Sequence, residues 1–162
     1  MKKLGLVLAV VFACTISSTT DAQLALRAGG ARIFDGSQPG GHVSLILPFS
    51  SKPAGVMIAA DYYKKDGLTT APISARGLYN LPVGEAADIY LGIGSGFIYT
   101  KNDAGTVSLS STEILFSAVG GLRLNLNSKF GVFGEMSMER ALISNAENNL
   151  AGKVGISITL SE

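Results

Sequence analysis

Strict two-residue alternation of apolar and polar side chains constrains this chain more than any other feature. It is plainest near the end, where Val154, Ile156, Ile158 and Leu160 alternate with Lys153, Gly155, Ser157 and Thr159. Successive side chains of a strand point to opposite faces, so this pattern describes a sheet with one apolar and one polar face. The pattern recurs in eight segments: 24–34, 42–49, 55–63, 71–81, 88–100, 113–126, 129–140 and 150–160. Val43, Leu45, Leu47 and Phe49 share a face in the second, and Ile89, Leu91, Ile93, Phe97 and Tyr99 in the fifth. Gly29-Gly30 inside the first segment reads as a bulge.

Eight strands with one apolar face could surround a protein core or face lipid, and composition favours lipid. The 162 residues suit one domain, only 15% of them are charged, and mean hydropathy is +0.35. Beyond residue 22 no run approaches the ~18 apolar residues of a membrane helix. The longest, Ala54 to Ala60, is strand-sized. High hydropathy without a spanning helix fits a membrane barrel, whose lipid-facing residues are diluted by polar alternates. Thirteen basic and twelve acidic side chains give a net charge of +1, with no basic run, so nucleic acid is not expected as a partner.

The first residues read as a secretion signal. Lys2 and Lys3 precede the apolar Leu4–Ile16 segment, and Thr20-Asp21-Ala22 offers small residues for cleavage before Gln23. This divides the chain into a signal peptide, 1–22, and a barrel domain, 23–162. An alternative reads Val11-Phe12-Ala13-Cys14 as a lipobox with Cys14 lipidated. Cys14 is the sole cysteine, so ordinary cleavage leaves a mature chain without disulfides or cysteine metal ligands.

Two further patterns support a membrane barrel. The connections after strands two, four and six read as short: 50–53, 82–87 and 127–128. Those after strands one, three, five and seven read as longer: 35–41, 64–70, 101–112 and 141–149. Outer-membrane barrels have short periplasmic turns and longer outside loops. Aromatic residues also gather toward strand ends: Phe34, Tyr62, Tyr63, Phe97, Tyr99 and Phe116 at one end, Phe49, Tyr79, Tyr90 and Phe130 at the other. Two such bands correspond to the girdles at the two membrane interfaces.

The chain has 20 glycines, many within strands, and inward glycines leave room in a narrow lumen. The Tyr90–Phe97 and Val119–Arg123 segments resemble the glycine-aromatic strands of small outer-membrane barrels. Over its whole mature length the chain resembles the eight-stranded outer-membrane barrel superfamily, of the OmpA transmembrane-domain or OmpX type. The resemblance implies an all-β, eight-stranded antiparallel up-and-down transmembrane barrel after a cleaved signal peptide, located in a Gram-negative outer membrane. Members usually end in an aromatic residue read by the assembly machinery, whereas this chain ends Leu160-Ser161-Glu162.

With the apolar face outward, Arg27, Arg76, Arg123 and Lys153 face the lumen together with Asp61, Glu113, Glu135 and Glu139. Buried charges must pair, so an ion-pair network across the lumen is expected. It either fills the barrel or re-pairs to gate a very small pore. His42, the only histidine, shares a face with Ser44. A hydrolytic site needs His, Ser and an acid. Some eight-stranded barrels are lipid A deacylases with a His-x-Ser-Asn motif, but here Leu142 stands where that histidine belongs, in Leu142-Ile143-Ser144-Asn145. No catalytic residue, cofactor or metal ligand set is therefore assigned, and Gly92-x-Gly94-x-Gly96 lies in a strand and is no dinucleotide fingerprint.

The expected function is that of a non-enzymatic integral outer-membrane barrel, with a structural role, surface binding or adhesion through its outside loops, or a very small gated pore. Its expected partners are outer-membrane lipids and an extracellular ligand met by the 101–112 loop, and it is expected to be a monomer. The alternatives are a soluble periplasmic or secreted barrel holding an apolar ligand, and a lipid A deacylase-like hydrolase.

Overall fold

A computed structural model describes residues 24–49, 53–84, 86–104, 107–143 and 146–160, with the side chains of Ala104 and Val107 excepted. The expected signal peptide with Cys14, the 50–52 turn residues, Ser144-Asn145 and the last two residues lie outside this set. Eight strands follow one another: β1 Leu24–Ile33, β2 Gln38–Pro48, β3 Ala54–Lys65, β4 Leu68–Pro82, β5 Ala87–Ala104, β6 Val107–Asn125, β7 Phe130–Ala141 and β8 Asn148–Leu160. Each pairs antiparallel with the next, and β8 closes on β1, from Leu24↔Leu160 to Ile33↔Ala151. The sheet is a closed up-and-down barrel, which leaves no edge along its closed wall.

The alternation seen in the sequence becomes the inside and outside of this wall. Val43, Ile73, Leu91, Ile93, Val154 and Ile156 stand exposed on the outside. Arg27, Asp61, Arg76, Glu139 and Lys153 are buried inside. The aromatic bands follow the same parity. Phe34, Phe49, Tyr62, Tyr79, Phe97, Tyr99, Phe116 and Phe130 face outward. Tyr63 and Tyr90, expected in the bands, instead point into the lumen and are fully buried. Each neighbours an outward residue, Tyr62 or Ile89, so strand geometry sends it the other way.

The bulge expected at Gly29-Gly30 is absent. Pairing runs unbroken through Ala28↔Val43, Gly29↔His42 and Gly30↔Gly41. The expected contrast between short and long connections is also corrected. At the end holding the chain termini, 49–53, 83–86 and 126–129 join the strands. At the other end, called here the hairpin end, two connections shrink because the strands continue, while 142–147 stays the longest of the barrel. Asp66 and Gly67 alone join β3 to β4, and only 105–106 separate β5 from β6. The 101–112 segment, expected as a loop, is mostly a ladder pairing Lys101↔Ser110, Asn102↔Leu109 and Asp103↔Ser108. Its backbone bonds persist where the apolar pattern has ended, since hydrogen bonding does not require an apolar face.

The resulting β5–β6 hairpin is the longest of the barrel, with strands of 18 and 19 residues. β6 pairs with β7 only from Leu115 onward, so residues 107–113 offer a free backbone edge among the described residues. Lys101 Nζ donates to Asp103 Oδ2 at 2.7 Å on this hairpin. That bond holds the exposed Asp103 carboxyl below its ordinary pKa and raises Lys101.

The β3–β4 turn has positive φ at both central residues, 49° at Asp66 and 81° at Gly67. This is the pattern of a type I′ hairpin turn, for which Asp-Gly is a preferred pair. A Cβ on Gly67 would also collide with the Asp103 carbonyl of β5. Gly67→Ala is expected to destabilise the barrel by about 1 kcal/mol or more, measured by equilibrium urea unfolding of the refolded protein.

Candidate functional site

Inside the barrel, charged side chains lie between two apolar layers. Toward the terminal end, Ala25, Ile46, Met57, Ala59, Leu78, Tyr90 and Val119 form one buried cluster. Toward the hairpin end, Ala31, Ile33, Tyr63 and Ala151 form the other. An eight-stranded barrel is just wide enough for side chains to fill it, and here they do. The charged layer between them is the candidate site.

Its hub is Lys153 on β8. The ammonium lies 2.6 Å from Asp61 Oδ2, 3.6 Å from Glu135 Oε1 and 3.9 Å from Glu139 Oε1. Arg76 on β4 supports the same two glutamates. Its Nη2 donates to Glu139 Oε1 at 2.9 Å, Nη1 lies 3.9 Å from Glu135 Oε1, and Nε donates to Ser117 Oγ at 2.7 Å. Arg27 on β1 completes the cations. Its guanidinium sits 4.4 Å from the centre of the Tyr90 ring, 5.2 Å from that of Phe133 and 3.9 Å from Glu135 Oε2. Aromatic faces attract such a cation most strongly when it is desolvated. Tyr90 Oη in turn donates to Glu135 Oε2 at 2.9 Å. Gly121 makes that reach available, since a Cβ there would fall 2.5 Å from Tyr90 Cζ and 2.8 Å from Glu135 Cβ.

Arg27, Arg76 and Lys153 thus face Asp61, Glu135 and Glu139, three cations against three anions. The other two charges expected in the network lie apart from it. Arg123 Nη2 donates to Asp88 Oδ2 at 3.0 Å at the terminal rim, where Asn125 joins the same oxygen. Glu113 lies on the inward face of β6 toward the hairpin end, half-exposed, with no ion-pair partner among the described residues. Beyond the narrow middle of the barrel, inward parity no longer means burial.

His42 joins the network, though no role in it was expected. Its Nδ1 is 2.6 Å from Asp61 Oδ1, and its Nε2 is 3.0 Å from Ser44 Oγ. With the proton on Nδ1, the ring donates to Asp61 and accepts from Ser44. The Phe133 ring packs against it edge-on at 5.7 Å. The order acid–imidazole–hydroxyl is that of a hydrolytic triad. Two features work against catalysis here. His42 and Ser44 are only 2% and 3% exposed, which closes Oγ to a substrate. The second oxygen of Asp61 is held by Lys153. The sequence did contain the signal that joins them: His42 and Asp61 are opposite residues once β2 and β3 are paired.

An eight-stranded antiparallel barrel with an apolar outer wall and a charged, filled lumen has the fold of the small outer-membrane barrels. No family model and no curated protein matches the sequence significantly. Solved structures do match the fold. The N-terminal β-barrel domain of Pseudomonas aeruginosa OprF aligns with a TM-score of 0.68 at 14% identity, over 85% of this chain and 97% of that one. Ail, the attachment invasion locus protein of Yersinia pestis, aligns at 0.58 and 14%, over 86% and 97%. The outer-membrane enzyme PagL aligns at 0.52 and 9%, over 85% and 99%. One of these structures is that of an enzyme and another that of an attachment invasion locus protein, so the fold by itself does not decide catalysis.

Removing one partner from a buried ion network leaves the others uncompensated. Lys153→Met is expected to cost about 3–5 kcal/mol, and Lys153→Met with Asp61→Asn less than the sum of the two single changes. Urea unfolding of the four species in a double-mutant cycle measures this coupling.

Proposed function

We propose that the chain is a non-enzymatic integral barrel of a Gram-negative outer membrane, anchored by its wall and presenting the β5–β6 hairpin outside. One observation carries this reading: the polarity of the barrel is inverted relative to a soluble one. Large apolar side chains cover the outside, including Ile93 at 66% and Val154 at 67% exposure, while the inside holds the charges. In water such a wall would be an aggregation surface; in lipid it is solvated. Outward aromatics near both ends of the wall fit two interfaces. A soluble barrel holding an apolar ligand would need an apolar lumen, and the space here is occupied by ion pairs.

Orientation follows from the ends. Both termini leave at the end with the 49–53, 83–86 and 126–129 connections, which suits a periplasmic side. The hairpin end then faces outward. The two apolar layers that seal the charged one argue for a closed barrel with a structural and surface-contact role over a conducting one. The free edge at 107–113, with Leu109 70% exposed beside serines and threonine, is the surface best placed to contact a partner outside. Extended segments can add to such an edge through backbone bonds.

The reading is tested by extraction and gel mobility. The protein should need detergent for release from membranes and should migrate faster unboiled than boiled. Recovery in the soluble periplasm, with no mobility shift, would overturn it. Ile93→Arg sharpens the test. On a lipid-facing wall it should cost about 2–4 kcal/mol in vesicles, whereas on a water-facing wall it should cost within about 0.5 kcal/mol.

The Ser44–His42–Asp61 geometry favours one second reading, a lipid hydrolase. A lipid A deacylation assay on wild type and His42→Ala decides it. No activity is expected from either; wild-type activity that disappears on substitution would establish the hydrolase instead.

A further inference from the structure

The outer wall is not uniformly covered. Two adjacent register rows cross five strands obliquely. One runs Ile89, Leu122, Gly134, Val154, Gly30 from β5 through β6, β7 and β8 to β1. The next row toward the hairpin end runs Leu91, Gly120, Met136, Gly152, Arg32. From β6 to β1 glycines and large side chains alternate between the rows, and a groove of about 810 Å³ runs along them on the outside of the barrel, open above Gly134 and Gly30 and bordered by Leu91 beside Gly120. Four strand spacings give it a length of roughly 19 Å. A leaflet of a bilayer whose hydrocarbon core is about 30 Å thick has chains reaching about 15 Å.

The two ends of the groove differ. At the β5 end it is wholly apolar. At the β1 end the ring of Phe34 lies across Gly152, where a Cβ would come within 2.7 Å of Phe34 Cζ. Arg32, directly opposite Gly152, lines the same end and is exposed, and it has no ion-pair partner among the described residues. A trough matched to one hydrocarbon chain therefore ends at a single cation at the hairpin-side interface.

We infer that this groove is a binding site for one acyl chain of an anionic lipid in the leaflet at the hairpin end, with the headgroup phosphate on Arg32. The inference rests on the reading that the barrel spans a membrane. Charge complementarity selects the occupant. A helix or strand of another protein would fill the trough without using Arg32, whereas an anionic lipid uses both its length and its charged end. A guanidinium–phosphate contact is a charge-assisted hydrogen bond, and Phe34 covers the neck between headgroup and chain.

The test uses the refolded full barrel in detergent, with phosphatidylglycerol and phosphatidylcholine of identical chains as probes and native mass spectrometry as the readout. The wild type should retain phosphatidylglycerol at least about tenfold more strongly, the value of a charged hydrogen bond of about 1.5 kcal/mol. Arg32→Gln should abolish that preference and leave the weaker chain-dependent retention. Gly134→Leu and Gly30→Leu should abolish both. An added Cβ meets nothing within 4 Å at either position, so these changes fill the groove without a clash inside the protein. The gel-mobility shift of each variant confirms that it folds, and Arg32→Gln tests the site even if a groove-filling variant does not. Equal retention of both lipids by the wild type, or a preference unchanged in Arg32→Gln, overturns the site while leaving the membrane reading intact. A wild type that neither folds in detergent nor inserts into vesicles overturns the membrane reading itself.

Discussion

Lys153 lies where three carboxylates converge, and the rest of the lumen is arranged around that convergence. Asp61, Glu135 and Glu139 come from β3 and β7, and no two of them could be buried together without cations between them. Lys153 and Arg76 supply that charge from opposite sides, while Arg27 spreads its own over Glu135 and two aromatic rings. Closing the sheet forces the arrangement. Once β8 pairs with β1, the inward side chains of all eight strands share one narrow space, and their charges must balance there.

The filled interior and the bare exterior are two consequences of the same alternation. Arg27, Arg123 and Lys153 all have outward neighbours without polar side chains along their strands, whereas Glu139 stands beside the outward Arg140. A barrel with an ion-paired lumen therefore carries a largely hydrocarbon-like wall. The glycines act differently on the two faces. On the inside, Gly121 makes room for Tyr90 to reach Glu135. On the outside, Gly30 and Gly134 leave open space along a trough that Leu91 borders at Gly120. The apolar clusters that hold Tyr90 and Tyr63 flank the charged layer at its two ends.

The Ser44–His42–Asp61 chain has the order of a hydrolytic triad and is at the same time part of the charge balance of the lumen. Those distances also serve packing and charge balance within the network. His42 satisfies one oxygen of Asp61 while Lys153 satisfies the other, and Ser44 caps the far ring nitrogen. In this polar chain both oxygens of the Asp61 carboxylate and both ring nitrogens of His42 have a partner.

Local alternation was enough to read eight strands, the outward wall, and the inward placement of Arg27, Asp61, Arg76, Glu135, Glu139 and Lys153, because side-chain direction in a strand depends only on parity. Parity would also have turned Tyr63 and Tyr90 inward, had it been given precedence over their position near strand ends. The Asp-Gly pair at 66–67 has the residue types of a tight turn, yet 64–70 was expected as a longer loop; the length of the β5–β6 hairpin was not legible either, because a backbone ladder outside the apolar wall leaves no alternation to follow. Partnership is another matter. Lys153 and Asp61 are 92 residues apart, and Glu113 has the same inward parity as Arg123 yet neither joins the central network. Which charges meet, and which glycines line up into a groove, depends on strand register, tilt and closure. Those are fixed only when all eight strands are in place, so the sequence by itself determined the faces of this barrel and the tertiary structure alone decided the contacts across them.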